Sequence, residues 1–105
     1  MKGIDISGTA APGFERVHRA FEASFADRPD MGAALCIYVE GEPVVDLWGG
    51  VADARTGTPW NEATLNVVFS CTKGLVSILA AMLVQEGWLD YGAPVARYWP
   101  ELAAA

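Results

Sequence analysis

The sequence is poor in the groups that most simple catalytic schemes need. It holds one histidine, His18, so a Ser-His-Asp triad is not expected within the chain. It holds two cysteines, Cys36 and Cys71, too few for a disulfide framework. Both sit among apolar residues and read as buried free thiols. They are isolated from each other, and His18 lacks a helical partner, so no metal-ligand set is visible. No glycine-rich phosphate loop precedes a helix, because Gly49-Gly50 falls in a hairpin region. No G-x-S-x-G elbow surrounds Ser70. Cations are scarce: Lys and Arg total 7 against 13 Asp and Glu, a formal charge of −6. That balance disfavours nucleic acid, whose phosphates demand Lys and Arg, and anionic lipid. The longest nearly apolar run covers residues 74–84, interrupted by Ser77, well short of the roughly 20 residues a membrane helix needs. The opening MKGIDISGTAAPG has no apolar stretch of the kind a secretory signal carries. A cytoplasmic setting is therefore expected. No cofactor is called for.

What is present is a chain of 105 residues that is 52% apolar and 19% charged. The length allows one domain at most, and the apolar content argues against disorder. Residues 1–12 read as a flexible lead-in. From 13 to about 27, Phe14, Val17, Phe21 and Phe25 recur at spacings of 3, 4 and 4, the stripe of an amphipathic helix. Arg28-Pro29 is expected to stop it. His18 reads as a half-exposed helix residue. Residues 33–39 alternate as a strand, 40–43 carry turn chemistry, and 44–48 return, which predicts a β-hairpin over 33–50. Its two faces are both fairly apolar, as for a strand pair inside a larger sheet. A glycine- and threonine-rich loop should run from Gly49 to about Thr64. Residues 70–86 predict a second helix with Gly87 as its C-terminal cap. That helix is apolar on every face between Gly74 and Val84, so it should be buried all round. One hairpin and one short helix cannot surround it, so more protein is expected around it. A short helix is expected near 95–99. Trp48, Trp60, Trp88 and Trp99, and likewise Tyr38, Tyr91 and Tyr98, read as packing residues.

One constellation carries chemistry: Ser70-Cys71-Thr72-Lys73. Residues i and i+3 share a helix face, so the Ser70 hydroxyl and the Lys73 amine can meet. A serine hydroxyl needs a base to take its proton, and an uncharged lysine can do so. Flanking Phe69, Leu75 and Val76 promise apolar surroundings that disfavour an ammonium. The start of a helix adds a backbone N–H for a developing oxyanion. With four serines and two lysines, random placement yields only about 0.08 such pairs. The plainer alternative is Ser70 as a helix N-cap and Lys73 as a surface side chain.

The run Val68-Phe69-Ser70-Cys71-Thr72-Lys73-Gly74-Leu75 resembles the first motif of the serine β-lactamase and penicillin-binding-protein superfamily. It is most similar to the class C β-lactamase-related branch, which includes the family VIII carboxylesterases. The stretches Asp46-Leu47-Trp48-Gly49-Gly50-Val51-Ala52-Asp53 and Pro59-Trp60 look like the segment before that motif. Gly87-Trp88-Leu89-Asp90 and the run from Pro94 to Glu101 look like the segment after it. The resemblance implies an α+β fold of the β-lactamase/transpeptidase type, an antiparallel sheet with a helical subdomain. This chain would be its N-terminal part: helix, β-hairpin and nucleophile helix. Residues 13–105 would then form the N-terminal part of a single hydrolase domain. The resemblance also implies that Ser70 is acylated and that Lys73 assists proton transfer. The family's Tyr-x-Asn loop and its later glycine-containing strand motif have no counterpart here, and Trp48-Gly49-Gly50 lies upstream of Ser70. The expected activity is hydrolysis of small esters by a serine carboxylesterase, with the isolated chain catalytically incomplete. The expected partner is a small-molecule ester or amide substrate. Two alternatives stand beside it: a β-lactamase or D-alanyl-D-alanine carboxypeptidase, and a non-catalytic truncated homologue acting as an interaction piece.

Overall fold

Alternating small and apolar residues in the first half of the chain build a sheet, and a phenylalanine stripe covers one side of it. The computed structural model describes residues 4–104. The chain divides into two compact units, Met1–Leu65 and Asn66–Ala105.

The first unit contains β1 (Ile6–Ala10), α1 (Glu15–Ala23), β2 (Gly32–Val39), β3 (Glu42–Asp53) and β4 (Thr58–Pro59). β3 is central: β1 and β2 both pair with it antiparallel, and β4 pairs with its end. The hairpin is present, with Glu40 and Gly41 both at positive φ, 52° and 84°, as a two-residue hairpin turn demands. The register slips between Ile37 and Tyr38, opposite Pro43. Proline cannot donate to the ladder and belongs at such bulges.

Leu35 pairs with Leu47 and Ile37 with Val45, so these four share one face. Phe21, Phe25, Val45 and Leu47 form the buried core, with Phe14, Val17, Ile6 and Met31 packed around it. Phe21 and Phe25 meet edge to face, with ring centroids 5.2 Å apart and planes at 78°. Full burial of each such side chain is worth roughly 1.5–3 kcal/mol over leaving it wet. α1 ends before Arg28-Pro29, earlier than its stripe implies. Ser24 Oγ donates to the Phe21 carbonyl at 2.6 Å, and the next amides bond three residues back, tightening the last turn. Phe25 still reaches the core from beyond the helix.

Two stretches of this unit differ from expectation in their secondary structure. The lead-in is partly a strand: residues 1–3 lie outside the described residues, but Ile6–Ala10 pair with β3. Gly8 makes this possible. It adopts φ 103°, and a Cβ there would sit 1.9 Å from the Asp46 carbonyl oxygen. The glycine-rich stretch from Gly49 is not a loop either, because β3 runs on to Asp53. Gly50, at φ 79°, lets the Met31 carbonyl approach where a side chain would collide, the usual meaning of glycine inside a strand.

The second unit opens with a 3₁₀ turn, Phe69–Cys71, leading directly into α2 (Thr72–Gln85). Gly87 closes α2 at φ 77°. Its N–H donates to the Val84 carbonyl and that of Trp88 to Leu83, the paired bonds of a Schellman motif. Two further 3₁₀ turns follow, Val95–Arg97 and Pro100–Ala104. The Asp90 N–H donates to Tyr98 Oη at 2.9 Å, fastening the intervening loop. α2, expected to need more protein around it, has no buried residue within this chain, and Leu75, Ile78, Leu79 and Met82 are all exposed. Trp88, Trp99, Tyr91 and Tyr98 of this unit are exposed as well, as is Tyr38 of the first unit, so none of them packs into a core of this chain. No helix among the described residues is long and apolar enough to cross a membrane.

Candidate active site

The helix entry carries both residues that the sequence singled out. Ser70 is the middle residue of the 3₁₀ turn, and Lys73 lies in the first turn of α2. Lys73 Nζ donates to Ser70 Oγ at 3.2 Å. The pair is solvent-exposed. Ser70 is therefore not the helix N-cap: that position falls to Cys71, and no side-chain cap bond forms there. The capping alternative is thereby corrected. One turn further on, Ser77 Oγ donates to the Lys73 carbonyl at 3.0 Å. Ser70, Lys73 and Ser77 thus lie along one side of the helix entry, at spacings of 3 and 4.

The backbone before the pair is unusual. Val68 has φ −102° and ψ 3°, and Phe69 has φ 45°, a left-handed conformation rare for a bulky residue. Nothing in the sequence signals this, because phenylalanine carries no preference for positive φ. The apolar enclosure expected from Phe69, Leu75 and Val76 is also not built: their exposures are 83%, 58% and 58%.

The remaining candidates lie elsewhere. Cys36 and Cys71 are both exposed free thiols, not buried ones. Cys36 pairs with Asp46, on the sheet face opposite Leu35 and Leu47. Cys71 is two positions from Lys73 and does not share its face. His18 is half-buried and lines a shallow surface groove of about 430 Å³ with Gly8, Ala10, Glu15 and Arg19.

The beta-lactamase family matches over residues 19–105. The chain belongs to the beta-lactamase family. It is 43% identical over 102 residues to the esterase/beta-lactamase LipL of Mycobacterium tuberculosis, covering 97% of this chain and 24% of that protein. It is 34% identical over 98 residues to the esterase EstB of Burkholderia gladioli, covering 93% and 24%. A crystal structure of a family VIII carboxylesterase superposes with a TM-score of 0.89 at 48% identity, covering 95% of this chain and 27% of that one. The α+β fold expected from the sequence is therefore that of this family. The chain spans about a quarter of the length of these relatives.

Proposed function

We propose that the chain carries the nucleophile of a serine carboxylesterase and that its residues 13–105 work as part of a longer hydrolase body. The contact of Lys73 Nζ with Ser70 Oγ at 3.2 Å carries this reading, and the names of LipL and EstB support the esterase class. This step requires Lys73 as the free amine, which takes the Oγ proton. Oγ bonds to the carbonyl carbon of a small ester, and the carbonyl electron pair moves onto oxygen. The entry to a helix holds N–H groups without intrahelical acceptors, and the Ser70 N–H, in the turn just before α2, would donate to this oxyanion. Collapse breaks the bond to the alcohol, which takes the proton from Lys73. Water then attacks the acyl-enzyme in the same way.

A second reading keeps the chemistry and changes the substrate. A beta-lactamase of Yersinia enterocolitica is 30% identical over 74 residues, which favours a β-lactam or the related D-alanyl-D-alanine peptide as the amide alternative. A third keeps the chain as a non-catalytic interaction piece, favoured by the exposed apolar faces of α2.

The test is incubation of the 105-residue chain and its Ser70→Ala variant with p-nitrophenyl acetate, read by intact mass. One acetyl group on Ser70, absent from the variant, is the expected result. Turnover should be slow, since loss of a single oxyanion donor costs about 10²–10³ in rate and the family's Tyr-x-Asn is absent from this chain. Labelling that is unchanged by Ser70→Ala overturns the nucleophile assignment. Fast turnover that vanishes in the variant overturns the incompleteness. A fluorescent penicillin that labels Ser70 where a fluorophosphonate does not would favour the amide reading.

A further inference from the structure

The first unit carries a groove that plays no part in the esterase reading. It lies between β1 and α1, holds about 430 Å³, and is lined by Gly8, Ala10, Glu15, His18 and Arg19. Its origin is a missing side chain. Gly8 and Ala10 stand opposite Leu47 and Val45, two residues of the core that α1 shares, and at Gly8 no side chain fills the space between strand and helix. β1 is also an edge strand: among the described residues its one partner in the sheet is β3. The Ala11 N–H is spent on the Val44 carbonyl at 2.8 Å. By the alternation of an antiparallel ladder, the N–H and C=O of Ala10 then point outward, away from β3. We propose that this groove and the free edge of β1 together bind an extended peptide as a further strand, with an acidic and a basic side chain two positions apart seated in the groove.

The charges of the groove set that pattern. The one ion pair among the described residues joins Arg55 to Asp53, so Arg19 is a cation outside any such pair. His18, half-buried next to it in the chain, adds a ring N–H donor. A carboxylate is the ligand that such donors take, and a guanidinium can hold one through two parallel bonds. Glu15 is the opposite pole. The Gly13 N–H donates to its Oε1 at 3.0 Å. That bond, and then the Glu15 N–H, keeps its carboxyl below the ordinary value of 4.5, so at neutral pH it is an anion that attracts an ammonium. Glu15 and Arg19 are four residues apart on α1, about 6 Å along a helix. Residues i and i+2, which share one face of a strand, are about 6.6 Å apart. The two spacings match, and Gly8 and Ala10, themselves two apart, mark the same length on β1. Backbone pairing at the edge supplies affinity, and the two side-chain seats supply selectivity.

Blocked hexapeptides titrated into the 105-residue chain, read by its amide chemical shifts, test both parts. Thr-Val-Glu-Val-Lys-Thr and the opposite order, Thr-Val-Lys-Val-Glu-Thr, place their charges on one face. Thr-Val-Glu-Lys-Val-Thr has the same composition and places them on opposite faces. One of the first two should bind saturably, about 5- to 10-fold more tightly than the third, with shifts centred on Ile6–Ala10 and α1. N-methylation of that peptide at one alternate set of amides should weaken it by about 10-fold, and at the other set should leave it unchanged. Arg19→Glu should weaken it by about 10-fold and should come to prefer Thr-Val-Lys-Val-Lys-Thr, a reversal that loss of folding cannot produce. No saturable shift at Ile6–Ala10 overturns the proposal. So do equal binding of the three hexapeptides and shifts confined to α2, which would mean adsorption on its apolar faces. Free glutamate that binds as tightly as the peptide, or indifference to N-methylation at either set, overturns strand addition. Shifts at Ile6–Ala10 that grow with chain concentration and without peptide would make a second copy the occupant and overturn the peptide.

Discussion

Lys73 Nζ and Ser70 Oγ lie 3.2 Å apart at the entry to α2, on side chains three residues apart. No other described element contributes to that contact. The pair is local, fixed by helical spacing and by the 3₁₀ turn that sets Ser70 ahead of the helix. Such a contact forms as soon as one turn of helix forms.

Removing Lys73, the proposed base, should therefore slow acylation without disturbing the fold. Lys73→Ala is expected to lower the rate of Ser70 acetylation by about 10²–10⁴, the usual worth of a positioned general base. Its circular dichroism spectrum should match the parent. Intact-mass kinetics with p-nitrophenyl acetate measure it, and a rate within twofold of the parent would remove Lys73 from the mechanism.

Two glycines should respond to alanine with opposite signs. Gly8 has φ 103°, and its Cβ would fall 1.9 Å from the Asp46 carbonyl oxygen. Gly8→Ala must move β1 away from β3 and is expected to cost about 1–3 kcal/mol or more. Gly74 lies inside α2, with nothing within 4 Å of a Cβ. Gly74→Ala should gain about 1 kcal/mol of local helix stability. Amide hydrogen exchange, read separately for β1 and α2, distinguishes the two effects.

The Phe21–Phe25 contact allows a sharper measurement. Phe25 is 2% exposed, and truncation to alanine should cost about 3–5 kcal/mol. The edge-to-face geometry, 5.2 Å and 78°, implies a coupling of about 0.5–1.5 kcal/mol beyond the buried area. A double-mutant cycle of Phe21→Leu and Phe25→Leu in urea should return a coupling of that size.

What the sequence made legible divides along these lines. Local periodic features were readable: the phenylalanine stripe of α1, the alternation of β2 and β3, the Gly87 cap, and the Ser70–Lys73 spacing. Features set by pairing partners were not. Ile6–Ala10 looks like a loose polar stretch until β3 is beside it, and Gly49-Gly50 looks like a breaker until the Met31 carbonyl is seen pressed against it. The left-handed Phe69 had no signature at all, since the residue type argues against it. The apolar composition of α2 implies that more protein belongs around it, and within this chain only Ala80 and Val84 of the helix are even half-buried.

Asp53 supplies a pH dependence with a definite sign. Arg55 holds it: Nε and Nη2 donate at 3.2 and 3.0 Å, and the Arg55 N–H at 2.9 Å. The side-chain bonds, then the backbone bond, keep its carboxyl below the ordinary value of 3.8. A folded value below the unfolded one means that the turn gains stability above about pH 4 and loses it as pH falls through the lower folded value. Arg55 is 88% exposed, so screening keeps the effect small. Carbon-detected titration of the Asp53 carboxyl should give a midpoint below 3.8, returning toward it in Arg55→Ala. A midpoint at or above 3.8 in the parent chain would contradict the assignment.

The exposed faces of α2 lead to the last expectation. Leu75, Leu79 and Met82 follow one another at helical spacing and are 58%, 59% and 56% exposed. Contiguous apolar surface of this kind binds hydrophobic dyes and other copies of the chain. Anilinonaphthalene sulfonate fluorescence should be strong, and the elution volume on size exclusion should depend on concentration. In a buried helix, Leu79→Glu would strand an unpaired charge and destabilise severely. Here the same substitution should leave the helix signal intact, lower dye binding and favour the monomer. A chain that is monomeric and silent to the dye, and that loses its helix on Leu79→Glu, would mean that α2 is covered after all and that 105 residues suffice to bury it.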